Sequence, residues 1–77
     1  MTTEAATVSF SEKYQLTRRE EEILEFFVFG KTNKEIADNL FLSESTVRFH
    51  VSNILKKTGY KNRNEVKKAF KHLQINE

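Results

Sequence analysis

The stretch TNKEIADNLFLSESTVRFHVSNILKKTG, residues 32–59, decides the fold. Its apolar residues recur three and four positions apart, which is typical of helices that bury one face. They form two stripes, Ile36, Ala37 and Leu40 in the first half and Val47, Val51, Ile54, Leu55 and Thr58 in the second. Only Leu42 and Ser43 separate the two patterns, and serine is a favourable N-cap residue. We therefore expect a short helix over residues 33–41, a tight turn, and a longer helix over residues 44–58.

Similar signals continue on both sides of this stretch. Amphipathic patterns predict further helices over residues 18–29 and 63–73, and Gly30 and Gly59 stand where a left-handed residue would end a helix. Three of the four predicted helices begin with a polar cap followed by glutamate three positions later, at Thr17, Thr32 and Asn62. Caps and terminating glycines thus agree on four helices.

The remaining N-terminal segment, residues 1–15, shows no sustained apolar period and holds few large apolar side chains. We expect a flexible arm there, as is common at chain ends. No segment alternates apolar and polar residues as a half-buried strand would. The predicted fold is all-α, a four-helix domain over residues 16–77 that shares one core.

Composition excludes several classes of protein. A chain of 77 residues without cysteine forms neither a disulfide framework nor a Cys-type zinc site. No apolar run approaches the ~20 residues that span a bilayer. The first residues, MTTEAATVSF, lack the basic and apolar regions of a signal peptide. We expect a cytoplasmic protein with no membrane partner.

The net charge of +2 is unevenly distributed along the chain. Residues 1–45 carry five Lys/Arg and nine Asp/Glu, a net −4, whereas residues 46–77 carry eight and two, a net +6. A basic half favours a polyanionic partner, but a solvated lysine-rich helix face would produce the same count.

The polar side of the predicted 44–58 helix indicates which kind of polyanion the chain would bind. A short helix, a tight turn and a longer helix suit a helix-turn-helix, whose second helix enters the DNA major groove. Opposite its apolar stripe this helix carries Ser45, Arg48, Phe49, Ser52 and Lys56, and no acid follows Glu44 within it. Phe49 is the one large aromatic residue on this side. It would contact a thymine methyl group, or else tuck against a neighbouring element of the protein.

Together, LTRREEEIL, GKTNKEIADNLFLSESTVRFHVSNILKKTG and YKNR closely resemble the DNA-binding domain of the LuxR/FixJ/GerE family of bacterial transcription regulators. The resemblance runs from about Leu16 to Leu73 and implies a sequence-specific regulator that reads double-stranded DNA with helix 44–58. By motif position it implies base contacts from Arg48, Phe49 and Ser52, to which we add the outward-facing Ser45. It implies phosphate contacts from Asn33, Lys34, Thr46, His50 and Lys56.

The resemblance also bears on assembly. Family members bind DNA as dimers, often through the fourth helix, and most carry a sensor domain ahead of this one. Fifteen residues cannot hold such a domain, so we expect a stand-alone, GerE-like member unless the chain was cut from a longer regulator. The outward side of its fourth predicted helix is Asn64, Lys67, Lys68 and Lys71. Because like charges oppose pairing, we expect a weak homodimer that assembles on DNA. We also expect RNA polymerase as a further partner and the bacterial nucleoid as the location.

Other functions fit the sequence less well. An enzyme is not expected, because His50 and His72 are the only histidines and there is no glycine-rich phosphate loop. We accordingly expect no cofactor and no metal. An RNA-binding role is disfavoured, since no aromatic pair lies on a sheet. The main alternative is a small protein-interaction module that acts through the acidic face of helix 18–29, where Phe29 would be exposed beside Glu22 and Glu25.

Overall fold

The computed structural model describes residues 2–75, with side chains as far as Gln74, so the last two residues of the predicted domain lie outside the described residues. The described part is all-α and contains five helices. They are α1 (Thr3–Tyr14), α2 (Arg18–Val28), α3 (Asn33–Leu40), α4 (Glu44–Thr58) and α5 (Arg63–Ile75). None of these helices is both long and apolar enough to span a bilayer.

The predicted caps explain where most helices begin and end. Both Thr17 and Thr32 form complete capping boxes, each accepting the N–H of the glutamate three residues later while that glutamate accepts the threonine N–H. Ser43 caps α4 by accepting the N–H of Thr46 at 3.1 Å. Gly30 and Gly59 adopt the left-handed conformation, with φ of 83° and 78°. These predictions are confirmed, because each depends on contacts within one helical turn.

The cap of α5 differs from its prediction in one contact. Asn62 accepts the N–H of Glu65 at 3.0 Å, as expected. The Glu65 carboxylate, however, accepts the N–H of Lys61 at 2.8 Å and so reaches one residue beyond the predicted partner. The helix start is unchanged, because Asn62 still accepts the N–H of Glu65 as an N-cap.

Helix α2 lies at the centre of the domain and packs against all four other helices. Its side chains Ile23, Leu24 and Phe27 are completely buried. The other helices contribute one or two turns each to the same core, with Ile36, Val47, Ile54 and Val66 also fully buried. The predicted stripes therefore form the core, and α4 is held against α2, α3 and α5.

The four-helix prediction is short by one helix, because residues 3–14 form α1 where we expected a flexible arm. Its buried residues are Ala6, Thr7, Phe10 and Ser11, of which two are polar. Thr7 satisfies its hydroxyl locally, donating to the carbonyl oxygen of Thr3 at 2.8 Å. A face that is half Ser and Thr has helical spacing but little apolar contrast, so the amphipathic pattern was too weak to predict it.

Contacts at both of its ends tie α1 to the C-terminal part of the domain. The Gln74 amide donates to the Thr3 hydroxyl at 3.0 Å, and the Tyr14 and Tyr60 hydroxyls lie 3.3 Å apart. Between these ends, the rings of Phe10 and Phe70 pack with centroids 6.0 Å apart. Helix α1 thus runs alongside α5 as part of the folded domain.

Candidate nucleic-acid interface

The outward face of α4 is built as the sequence predicts. Val47, Val51 and Ile54 are buried on the core side. The opposite side exposes the five residues predicted to face DNA: Ser45, Arg48, Phe49, Ser52 and Lys56. Two further predicted contacts, Thr46 and His50, are half-buried at the edges of this face.

Phe49 projects into solvent. It is 63% exposed, and its ring contacts that of His50 in an edge-on arrangement with centroids 5.6 Å apart. The alternative in which it tucks against a neighbouring element is therefore wrong. A large apolar side chain held open on a polar face is available to an apolar group on a partner.

Hydroxyl groups at the start of α4 form a small network centred on Ser43. Its Oγ donates to Thr46 Oγ1 at 2.9 Å and lies 3.1 Å from Ser45 Oγ. Since the single Ser43 proton goes to Thr46, Ser45 must be the donor in its own contact with Ser43. The Thr46 proton is not used in this network. Thr46 can therefore donate outward, whereas Ser45 must turn before its proton reaches a base.

Arg48 has an ion-pair partner on its own helix. Its Nη1 lies 3.7 Å from Glu44 Oε2, one turn earlier, and both side chains are about half exposed to solvent. Exposed pairs of this kind contribute about 0–1 kcal/mol, so a stronger acceptor would displace Glu44 at little cost. The pair with Glu44 keeps the Arg48 guanidinium near the N-terminal end of α4 and leaves it exposed to solvent.

The start of α3 places the other predicted phosphate contacts. Lys34 is exposed, whereas Asn33 is half-buried and its Oδ1 accepts Arg63 Nη1 at 2.7 Å. Arg63 also donates to the carbonyl oxygen of Lys31 at 2.9 Å and lies over the Phe27 ring, 5.1 Å from the centroid. Burial lowers the pKa of Arg63, but an arginine remains charged. Because only the Asn33 carbonyl oxygen is used, its amide N–H groups stay available to an acceptor.

Arg63 is not among the residues that the sequence predicts to contact DNA. In the structure it is a positioning residue, because it joins the start of α5 to the loop before α3 and orients Asn33. The available signal was the motif YKNR, in which the arginine begins an amphipathic helix and could face either solvent or a loop. Its partners are a side-chain amide and a carbonyl oxygen 30 or more residues away, so charge pairing could not reveal them.

The residues predicted to mediate dimerisation lie on α5, away from the core. Asn64, Lys68 and Lys71 are exposed and Lys67 is half-buried. The apolar stripe of the same helix packs into the domain, with Val66 and Phe70 buried and Ala69 and Leu73 against the core. Whether the α5 lysines meet those of a second copy stays a prediction.

Phe29, the residue behind the protein-interaction alternative, is 66% exposed as predicted. It lines a shallow depression together with Val28, Lys67 and Lys71. Glu22 and Glu25 line a separate depression. Burial, followed by repulsion from Glu21, Glu4 and Glu22, raises the pKa of Glu25. Phe29 therefore borders the basic side of α5, which the acidic-rim interpretation did not foresee.

Comparison with known proteins identifies the domain. Residues 14–69 match the family described as bacterial regulatory proteins, luxR family. The chain belongs to the LuxR family. It is a DNA-binding transcription regulator with a helix-turn-helix formed by α3 and α4, and it belongs to a non-enzymatic family. The family resemblance and the DNA-binding function drawn from the sequence are confirmed.

Individual LuxR-family proteins agree with this assignment. The chain is 52% identical over 56 residues to the spore germination protein GerE of Bacillus subtilis, covering 73% of this chain and 76% of GerE. It is 48% identical over 56 residues to the transcriptional regulatory protein DesR of Bacillus subtilis, covering 73% of this chain and 28% of DesR. It is 47% identical over 55 residues to the CsgBAC operon transcriptional regulatory protein of Escherichia coli, covering 71% of this chain and 26% of that protein. No solved structure gave a significant match.

Proposed function

We propose that this LuxR-family domain inserts α4 into the major groove and reads base edges with Arg48, Phe49 and Ser52, with Ser45 at the end of the face. The observation that supports this proposal most directly is the exposed face of α4. An arginine, an aromatic ring and hydroxyl groups project from one side of this helix, and its other side is buried. An α-helix fits the major groove of B-DNA, and arginine pairs with guanine O6 and N7.

The phosphate contacts come from residues that flank this face. Lys34 and Lys56 are exposed point charges, and the Thr46 hydroxyl and the Asn33 amide each keep a donor after their internal hydrogen bonds. His50 lies at the edge of the face beside Phe49. Donors of this kind fix the register of a protein on the duplex without reading its sequence.

Selection of bound sequences from a random duplex pool tests base reading. The wild-type protein should enrich one motif, and Arg48→Ala should lose preference at one guanine because a bidentate contact discriminates by about 1–3 kcal/mol. Arg18→Ala, which removes an exposed arginine of α2, is the control and should enrich the wild-type motif. If Arg48→Ala selects the unchanged motif with unchanged affinity, α4 does not read bases through Arg48.

We further propose that the protein is a weak homodimer that assembles on two half-sites. The supporting observation is that Lys67, Lys68 and Lys71 follow each other along one side of α5, so two such faces repel until phosphates or salt screen them. Sedimentation should show a monomer at micromolar concentration, and a two-half-site duplex with centres about one helical turn apart should bind cooperatively. A tight dimer without DNA, or independent binding to each half-site, would contradict this assembly.

RNA polymerase and the nucleoid of a bacterial cytoplasm are the remaining proposed partner and location. Phe29, the C-cap residue of α2, is 66% exposed and lines a depression with residues of α5 and none of α4, so it is the proposed polymerase contact. Phe29→Ser should reduce transcription output in a reconstituted assay and leave DNA affinity unchanged. Equal output from both proteins would remove Phe29 from the proposed contact.

A further inference from the structure

A groove of about 560 Å³ runs between α1 and α5, and none of the proposed DNA contacts lines it. Phe10, Lys13 and Tyr14 of α1 form one wall, and Lys68, Ala69 and Leu73 of α5 form the other. Its surface is mainly apolar. Ligand sites in proteins commonly enclose about 300–1,000 Å³, so this α1–α5 groove has the size of a small-molecule site.

Aromatic packing orders the α1 wall and one end of the groove. Phe10 is buried, and its ring centroid lies 4.8 Å from that of Tyr14. Tyr60, from the segment between α4 and α5, closes one end with its ring centroid 6.2 Å from that of Tyr14. Because the three rings support one another, an entering apolar group would meet an ordered surface.

The two tyrosine hydroxyls at this end leave one donor unused by their mutual contact. They lie 3.3 Å apart, and one proton suffices for the hydrogen bond between them. The hydrogen bond to Tyr14, followed by burial, raises the pKa of Tyr60, so its phenol stays protonated at neutral pH. The second O–H is therefore directed away from the pair and can donate to an acceptor in the groove.

The rim of the groove favours an acceptor that carries negative charge. Lys13 and Lys68 lie along it, with Lys13 Nζ 5.3 Å from the Tyr14 ring centroid. The acid in the lining is Glu65, whose carboxylate accepts the N–H of Lys61. His72 also lines the groove. The formal charge of the lining is thus +1 with histidine neutral, two lysines against one glutamate.

We propose that the α1–α5 groove binds an amphipathic carboxylate, a small molecule with an aromatic ring or short acyl chain and one anionic end. The apolar part packs on Phe10, Ala69 and Leu73. The carboxylate accepts the unused tyrosine O–H and lies near the two lysines, since charge-assisted hydrogen bonds are the stronger kind. Such a ligand contacts α1 and α5 together and stabilises the folded chain, because it binds the folded state alone.

Titration of the full chain with three matched probes tests this site. The probes are 3-phenylpropanoate, the neutral 3-phenylpropan-1-ol and the cationic 3-phenylpropylamine. Their binding is measured by calorimetry and by changes in the amide NMR shifts of the protein. We expect the carboxylate to bind about tenfold more tightly than the alcohol, with the amine weakest, because only the carboxylate gains the lysines and the charge-assisted bond. Shifted amides should cluster at the end of α1, around Tyr60 and on the facing side of α5.

Charge-neutralising variants locate the carboxylate. Lys13→Gln and Lys68→Gln should each weaken 3-phenylpropanoate several-fold and leave the alcohol unchanged. Lys71→Gln is the matched control, because it removes the same charge from the same helix but lies outside the groove. Tyr14→Phe combined with Tyr60→Phe keeps both rings and should also weaken the carboxylate selectively. Circular dichroism and the melting temperature establish that each variant is folded.

Several results would overturn the proposal. The alcohol binding as tightly as the carboxylate would show that the rim does not select an anion. Amide shifts confined to the Phe29 depression or to α4 would place the ligand elsewhere. Absence of binding by all three probes would show that the groove takes no such ligand. Shifts of the groove residues on dilution of the free protein, without any effect of the probes, would show that a second copy occupies the groove.

Discussion

At the scale of the residue, Phe41 departs most clearly from ordinary preferences. It ends α3 in the left-handed conformation with φ of 57°, and it is 94% exposed in the turn before α4. The prediction of a helix to residue 41 is therefore one residue too long. The left-handed conformation costs a residue with a Cβ about 1 kcal/mol, and glycine avoids that cost.

We expect Phe41→Gly to raise the free energy of unfolding by up to about 1 kcal/mol, since it relieves the backbone without removing buried contacts. Urea denaturation measures the change. Phe41→Ala is the control, because it removes the same exposed ring but keeps a Cβ at positive φ. If the alanine and glycine variants are equally stable, the backbone conformation does not determine the effect.

At the scale of the element, α1 shows how a helix without a clear amphipathic pattern joins a core. Its anchor is Phe10, which is buried between the Tyr14 and Phe70 rings. Phe10→Ala should destabilise the domain by about 3 kcal/mol, as large-to-small changes at buried aromatic residues do. Val8→Ala, on the same helix at a position 47% exposed, should change stability little. Equal and small effects in urea denaturation would mean that α1 does not contribute to the cooperative fold.

At the scale of the whole molecule, one ion pair joins the start of α2 to the end of α4. Lys57 Nζ lies 2.6 Å from Glu20 Oε1, and the Glu20 side chain is 4% exposed. The same oxygen accepts the N–H of Thr17 at 2.8 Å in the capping box. Burial pushes the pKa of Glu20 up, but the bonds from Lys57 and Thr17 outweigh it and place the pKa below its ordinary value of 4.5.

A lowered pKa in the folded state means that the ionised Glu20 stabilises the fold. That contribution is complete above the ordinary pKa of 4.5 and is lost as pH falls through the lower folded value. Glu20→Gln should cost about 2 kcal/mol at neutral pH, where it removes a charged hydrogen-bond acceptor. The difference from wild type should shrink as pH falls below 4.5.

Urea denaturation at several pH values measures this difference. Glu35→Gln is the matched comparison, because Glu35 occupies the same capping position at an exposed site, where the hydrogen bonds to Thr32 lower its pKa without a lysine at hydrogen-bond distance. Its penalty at neutral pH should therefore be smaller than that of Glu20→Gln. A Glu20→Gln penalty that stays constant from neutral to acidic pH would contradict the assigned titration.

The sequence by itself determined the local features of this protein: the caps at Thr17, Thr32 and Ser43, the left-handed glycines, and the side of α4 that faces outward. Each follows from hydrogen bonds or apolar spacing within one or two turns of a helix, so neighbouring residues are sufficient to predict it. The order of motifs along α3 and α4 was also sufficient for the LuxR family.

Only the tertiary structure decided which distant residues meet. Arg63 orients Asn33, Lys57 pairs with Glu20, and α1 packs along α5 to form a groove. These contacts join residues 30 or more positions apart, or bury a helix face that is half Ser and Thr and has little apolar contrast. Their partners are set by how the helices pack in three dimensions, and no local period along the chain records that arrangement.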